Sequence, residues 1–184
     1  MGKTIKLYPG GFVPENYNEV EIIKQDIVCE EPHYFDYSEY NDKLPEDYHD
    51  FITFFGEGLF GGYVRIFPPF TIHMIMLGWP YAIQKVSHFK NNKVLSRDNL
   101  KEAIIIGDTL DTDQIICFDK NYYIYSWQGD ILIFKVGNKL KDVFKWYASG
   151  EYWEAANFNT FTPFISRKTA SSLYSSLGNF KSEP

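Results

Sequence analysis

The stretch Leu44–Pro68, LPEDYHDFITFFGEGLFGGYVRIFP, constrains the fold more than any other part of the chain. Pro45 suits a first helical position, where its missing N–H removes no intrahelical hydrogen bond. Glu46 and Asp47 follow with negative charge in the first turn, where the helix dipole favours it. Leu44, Tyr48, Phe51, Ile52 and Phe55 recur at helical spacing and form one apolar stripe. Gly56 supplies a left-handed stop. After Gly61 and Gly62 the chain alternates through Tyr63-Val64-Arg65-Ile66-Phe67, and Pro68-Pro69 closes a strand. The stretch therefore predicts a helix, a glycine turn and a strand in succession.

The pattern Leu-Pro-x-Asp-Tyr-x-x-Phe, then a glycine cluster, then an aromatic strand ending in proline, resembles the signature of the SUKH superfamily. Ile104–Asp119 is similar to the strand–turn–strand that follows in that family, and Leu140–Ser149 to its closing helix. The resemblance covers Leu44 to Gly150 and leaves 151–184 as a C-terminal extension. It departs from the family just before the Leu-Pro motif. There the family has an amphipathic helix, whereas about twenty aromatic and acidic residues stand in this chain. The superfamily includes a fungal cell-wall synthesis regulator and many bacterial immunity proteins. The resemblance implies a SUKH-like α+β fold and a role in binding other proteins, with no catalysis and no cofactor. The Leu-Pro-Glu-Asp-Tyr residues are expected to form the fold.

The chain has 184 residues, 45% of them hydrophobic and 18% aromatic, which suits one globular domain. Its net charge of −6 argues against nucleic acid or an anionic membrane as partner and is compatible with a basic protein. Met1–Lys6 lacks the apolar core of a signal peptide. Phe70–Trp79, the longest apolar run, is too short to cross a bilayer. Cys29 and Cys117 have no spacing typical of a metal or redox motif, so buried inert thiols and a reducing cytoplasm are expected.

Elsewhere, Thr4–Tyr8 reads as a strand and Asn16–Ile27 as a helix with Val20, Ile23 and Ile27 inward. Thr71–Met76 fits either a strand or a helix, and Pro80 opens a helix carrying Ile83, Val86 and Phe89. Ala103–Gly107, Gln114–Phe118, Tyr122–Trp127 and Ile131–Val136 read as strands joined by short turns. Such spacing demands an antiparallel meander, because parallel strands need a long crossover. Leu140, Val143, Phe144 and Tyr147 mark a helix stopped by Gly150, although Lys139 and Lys141 oppose its dipole. Gly150–Pro163 reads as irregular, and Ala170–Leu177 as a short helix. The sum is an α+β domain, with helices on one face of a mostly antiparallel sheet.

The chemistry narrows by elimination. Gly56–Gly61 matches G-x-G-x-x-G, but a dinucleotide site needs a strand before it and a helix after, the reverse of the order here. Asp108, Asp111 and Asp113 have the oxygens for calcium or for acid–base work. They are also what a turn uses to accept its own backbone N–H groups, the favoured reading. His49 falls on the polar side of its helix, and His73 faces the core or a pocket. No catalytic or metal-binding constellation emerges.

What remains is a surface. Glu30–Asp50 holds eight acids against one base, Lys43, with Tyr34, Phe35, Tyr37 and Tyr40 among them. Acids steer a basic partner and tyrosines anchor it. The candidate partner-binding residues are Glu31, Asp36, Tyr37, Glu39 and Tyr40. The competing explanation is a solvated loop whose tyrosines pack on the core. The expected function is a cytoplasmic immunity protein that occludes a basic toxin domain. Two rivals stay open: a regulatory interaction module, and a small-molecule binder or enzyme with an aromatic pocket near Trp79, Trp127 or Trp153.

Overall fold

A computed structural model describes residues 21–22, 40, 42–86, 93–128, 130–150 and 160–163. In chain order the elements are β1 (Glu21–Ile22), α1 (Glu46–Phe55), β2 (Gly58–Phe60), β3 (Val64–Ile66), α2 (Pro69–Met76) and α3 (Trp79–Lys85). They continue with α4 (Arg97–Glu102), β4 (Ile104–Thr109), β5 (Gln114–Phe118), β6 (Asn121–Gln128), β7 (Asp130–Gly137), α5 (Leu140–Ser149) and β8 (Thr160–Pro163). The strands form one sheet in the order β1-β8-β2-β3-β4-β5-β6-β7. Among the described residues only the β1–β8 pair is parallel, so the chain is an α+β protein with a mostly antiparallel sheet.

Helix α1 forms as its spacing requires, with Tyr48, Phe51, Ile52 and Phe55 buried. Pro45 sits one position earlier than expected, as the extended residue before the helix (φ −66°, ψ 153°). Gly56 stops the helix at φ 73°, which favours glycine, and donates its N–H to the Ile52 carbonyl at 2.8 Å. The glycine cluster contains the short strand β2, which pairs with β3 through a turn where Gly61 and Gly62 both have positive φ.

The predicted meander is present. Strand β5 matches its expected limits residue for residue, β6 and β7 each extend one residue further at both ends, and β4 starts one residue later than expected and ends two later. The β5–β6 turn puts both Asp119 (φ 47°) and Lys120 (φ 55°) in the left-handed region, the geometry whose twist suits a tight hairpin. Gly107 lies at a register shift in the β4–β5 pair, and a Cβ there would collide with the Arg65 carbonyl on β3.

Register assigns the faces. Phe60, Val64, Ile115, Cys117, Tyr122 and Ile124 share one face, which α1 and α5 cover. Phe51 of α1 stacks on Phe144 of α5, and both rings meet Phe60. Phe161 of β8 joins them through Phe55 and Phe60. Tyr123 and Tyr125 point the other way, and there Trp79 of α3 meets Tyr125 edge-on while its Nε1–H donates to the Leu100 carbonyl. The helical layer expected on one face is thus joined by cover on the second, and the middle of the sheet is buried on both sides.

Two expectations are corrected and one helix is added. Glu21–Ile22, placed within a helix over Asn16–Ile27, is extended, because its backbone pairs with Thr160–Phe161. Gly150–Pro163, read as irregular, contains β8, which adds to the free side of β2 and brings part of the C-terminal extension into the sheet. Helix α4, which carries one buried apolar residue, Leu100, was not foreseen; Ser96 caps it by accepting the Asn99 N–H. The ambiguous run after Pro68 is the helix α2. Thr4–Tyr8, the rest of Asn16–Ile27, Phe89 and Ala170–Leu177 lie outside the described residues.

Candidate functional site

The acidic, tyrosine-rich stretch reaches the described fold at Tyr40. Glu31, Asp36, Tyr37 and Glu39 lie outside the described residues. Tyr40 is half-buried against the core, with its ring edge-on to His73 of α2 at 6.3 Å. Its carbonyl accepts the N–H groups of Lys43 and Leu44, both at 3.1 Å. Tyr40 therefore fixes the turn that feeds α1 as well as bordering the acidic stretch.

Beyond it, the motif carboxylates divide by direction. Asp42, Glu46 and Asp50 are exposed, and the four-residue spacing of Glu46 and Asp50 sets them on one side of α1. Asp47 turns inward. Its Oδ1 accepts the Tyr122 hydroxyl at 2.9 Å and its Oδ2 accepts the Leu140 N–H at the start of α5. The sequence marks these residues as acidic, but only the tertiary fold separates the three outward ones from the inward one. Beside Asp47, the Tyr48 hydroxyl donates to the Phe67 carbonyl at 2.7 Å, joining α1 to the end of β3.

The aspartates after β4 form a second polar group. Tyr63 donates its hydroxyl to Asp111 Oδ2 at 2.9 Å, and Tyr147 of α5 donates to Asp113 Oδ2 at 3.2 Å. The two tyrosine rings meet edge-on at 5.4 Å. Asp113 is only 1% exposed, and its backbone N–H and C=O both bond to Thr109. Its Oδ1 and the Oγ of the nearby strand residue Ser126 are both buried. Burial pushes the Asp113 carboxyl above the usual carboxylate range, against the pull of the Ser126 and Tyr147 hydroxyls. Burial and the Asp111 bond push Tyr63 up to about 12. The turn reading of these aspartates is corrected in this respect: their carboxylates take tyrosine hydroxyls from β3's edge and α5 in place of the turn's own backbone N–H groups. Among the described residues no group of three or more His, Cys, Asp or Glu could hold a metal ion.

Asp108, the third aspartate of the sequence cluster, points to the opposite face. It takes a two-pronged ion pair from Arg65 across the β3–β4 register, at 3.0 and 2.6 Å. The guanidinium also lies 4.8 Å from the Phe67 ring centre. Neighbouring Glu57 is shifted upward by burial, with Arg65 opposing that shift. The three aspartates therefore share no single site.

The remaining candidates resolve individually. Cys117 is buried, which pushes its thiol up to about 12 and makes it unreactive; Cys29 lies outside the described residues. Trp79 packs into the sheet face as described above. Trp153 lies outside the described residues, and the side chain of Trp127 is likewise not described. His49 is half-buried against Tyr48.

One surface feature has no counterpart in the sequence reading. Phe70, Met74, Leu77 and Tyr81 are 39, 51, 68 and 63% exposed along α2 and α3. No helix among the described residues is long and apolar enough to cross a membrane. No family model matches the chain, and no curated protein or solved structure matches it either.

Proposed function

We propose that the chain is a noncatalytic immunity protein that binds and occludes a cognate toxin domain in the cytoplasm. The observation that carries this reading is the outward acidic side of α1. Asp42, Glu46 and Asp50 are exposed, and in the sequence they follow directly on the acidic residues Glu31, Asp36 and Glu39. The resemblance of Leu44–Pro68 to the SUKH signature supports it. A nuclease is the favoured toxin, because a cleft that holds phosphates is basic and an acidic blocker complements it.

On this reading the acids accelerate encounter, and Tyr37, with the part of the Tyr40 ring that its packing against the core leaves exposed, supplies anchoring area with few torsions to freeze. Inhibition is steric: the partner's cleft is covered, and no bond is made or broken. The test is co-expression with the product of the adjacent gene. Growth should be rescued, and rescue should be lost when Asp36→Lys and Glu39→Lys are combined. Rescue that survives the double reversal removes this surface, and growth arrest despite the unaltered chain removes the immunity role.

A further inference from the structure

We propose that the exposed row on α2 and α3 docks an acidic amphipathic helix of a partner protein. The row is a second surface, apart from the acidic one. Its members are spaced i, i+4, i+7 and i+11, the spacing of one helix face. Leu77 (φ −57°, ψ −33°) and Gly78 (φ −103°, ψ −16°) stay near helical geometry between the two helices. The N–H groups of Gly78 and Ala82 bond to the Ile75 and Gly78 carbonyls at 3.1 and 3.0 Å, so the turn continues through the junction. The row spans about 17 Å at the helical rise per residue. Met74, Leu77 and Tyr81 present more apolar surface than a solvent-facing helix needs, and an unbranched methionine adapts to varied partners.

Charge identifies the occupant. From Pro68 to Arg97 the sequence has no Asp or Glu, and its charged residues are Lys85, Lys90, Lys93 and Arg97. This basic island stands in a chain of net charge −6. Lys85 Nζ lies 4.2 Å from the Tyr81 ring centre, so a cation sits at the end of the apolar row. Lys93 is exposed, while Arg97 is tied to the Val86 carbonyl at 2.6 Å.

In a second copy docked face to face, a parallel two-fold pairing brings two Lys85 groups together and an antiparallel one sets each Lys85 at the apolar Phe70 end, and in neither does the row offer a carboxylate to offset them. An anionic bilayer would have to attract a chain whose net charge is −6. A short helix touches the row alone. Its apolar residues meet Met74, Leu77 and Tyr81, and its flanking carboxylates meet Lys85 and Lys93. This reading does not depend on the toxin proposal, and either can fail alone.

The test titrates the purified full chain into a fluorescein-labelled peptide of about fourteen residues, with Leu at i, i+3, i+4 and i+7 and Glu elsewhere. A counterpart with Lys for every Glu serves as control, and anisotropy is the readout. The acidic peptide should bind at least about tenfold more tightly than its counterpart. Leu77→Glu should weaken it by about tenfold or more, and Lys85→Glu should erase the preference between peptides. Both side chains are exposed, so both variants should keep the wild-type melting temperature. Equal binding of the two peptides, or no binding of the acidic one, overturns the proposal. So does Leu77-dependent flotation with phosphatidylserine-containing vesicles, which makes the occupant a membrane. Leu77-dependent dimerisation in sedimentation equilibrium overturns it in favour of a second copy.

Discussion

Asp47 of α1 accepts the backbone N–H of Leu140, the first residue of α5, and the same carboxylate takes the Tyr122 hydroxyl from β6. One side chain thereby satisfies a donor at a helix start that has no intrahelical partner, places negative charge at the positive end of α5, and ties both helices to the sheet. Asp142 acts at the same place, accepting the Lys139 N–H at 3.1 Å. Together these two carboxylates account for a helix that begins beside Lys139 and Lys141, whose charges oppose the dipole.

Asp47→Ala should therefore destabilise the fold by about 2–3 kcal/mol, since it removes two hydrogen bonds at once, one of them to a helix N–H. Tyr122→Phe removes one of the two bonds and should cost about 1 kcal/mol. Urea unfolding of both variants and of the double variant checks this. The double variant should fall short of the sum, because the two changes break one shared bond.

Phe51 stands at the centre of the aromatic layer formed by α1, α5 and β2. Phe51→Ala should cost about 3–5 kcal/mol, the range for emptying a packed aromatic site, measured as a lowered urea midpoint.

Gly107 is required by space. Gly107→Ala drives a methyl into the Arg65 carbonyl and crowds Ile66 and Ile115, which should cost about 1–3 kcal/mol. Chemical unfolding measures the loss. Because Arg65 and Asp108 pair across the same register, amide exchange in β3 and β4 should rise first.

Asp113 makes stability depend on pH in an unusual sense. Its carboxyl pKa is raised by folding, so its contribution is fully present below the unfolded aspartate value, near ~3.9, and is lost as pH rises through the folded value. Asp113→Asn keeps an oxygen for the Tyr147 hydroxyl and removes the buried charge. At neutral pH the variant should be more stable than wild type, and the difference should close as pH falls through the folded pKa. A gap that stays constant with pH would contradict this account.

Where partners are local, the sequence shows the fold. The α1 stripe, β5 to β7 with their turns, and α5 all follow from spacing and turn chemistry within a few residues. Where partners are distant, it does not. β8 pairs with β2 about a hundred positions away, and β1 joins β8 from the other end of the chain, so neither carries a local signal. Asp47 lies 75 positions from Tyr122 and 93 from Leu140, so its inward role cannot be told from that of Glu46 by sequence. The acidic character of the candidate surface was legible as composition. The apolar row on α2 and α3 was not, because a run apolar at nearly every position hides which side faces solvent.

Under the proposed function, this molecule acts by covering a basic cleft. The direct measurement is calorimetric titration of the purified chain with the toxin domain encoded by the adjacent gene, at low and at high salt. The account predicts a one-to-one complex whose affinity falls as salt rises and falls again when Glu46 and Asp50 are both reversed to Lys. No complex, or one indifferent to salt and to those reversals, would contradict it.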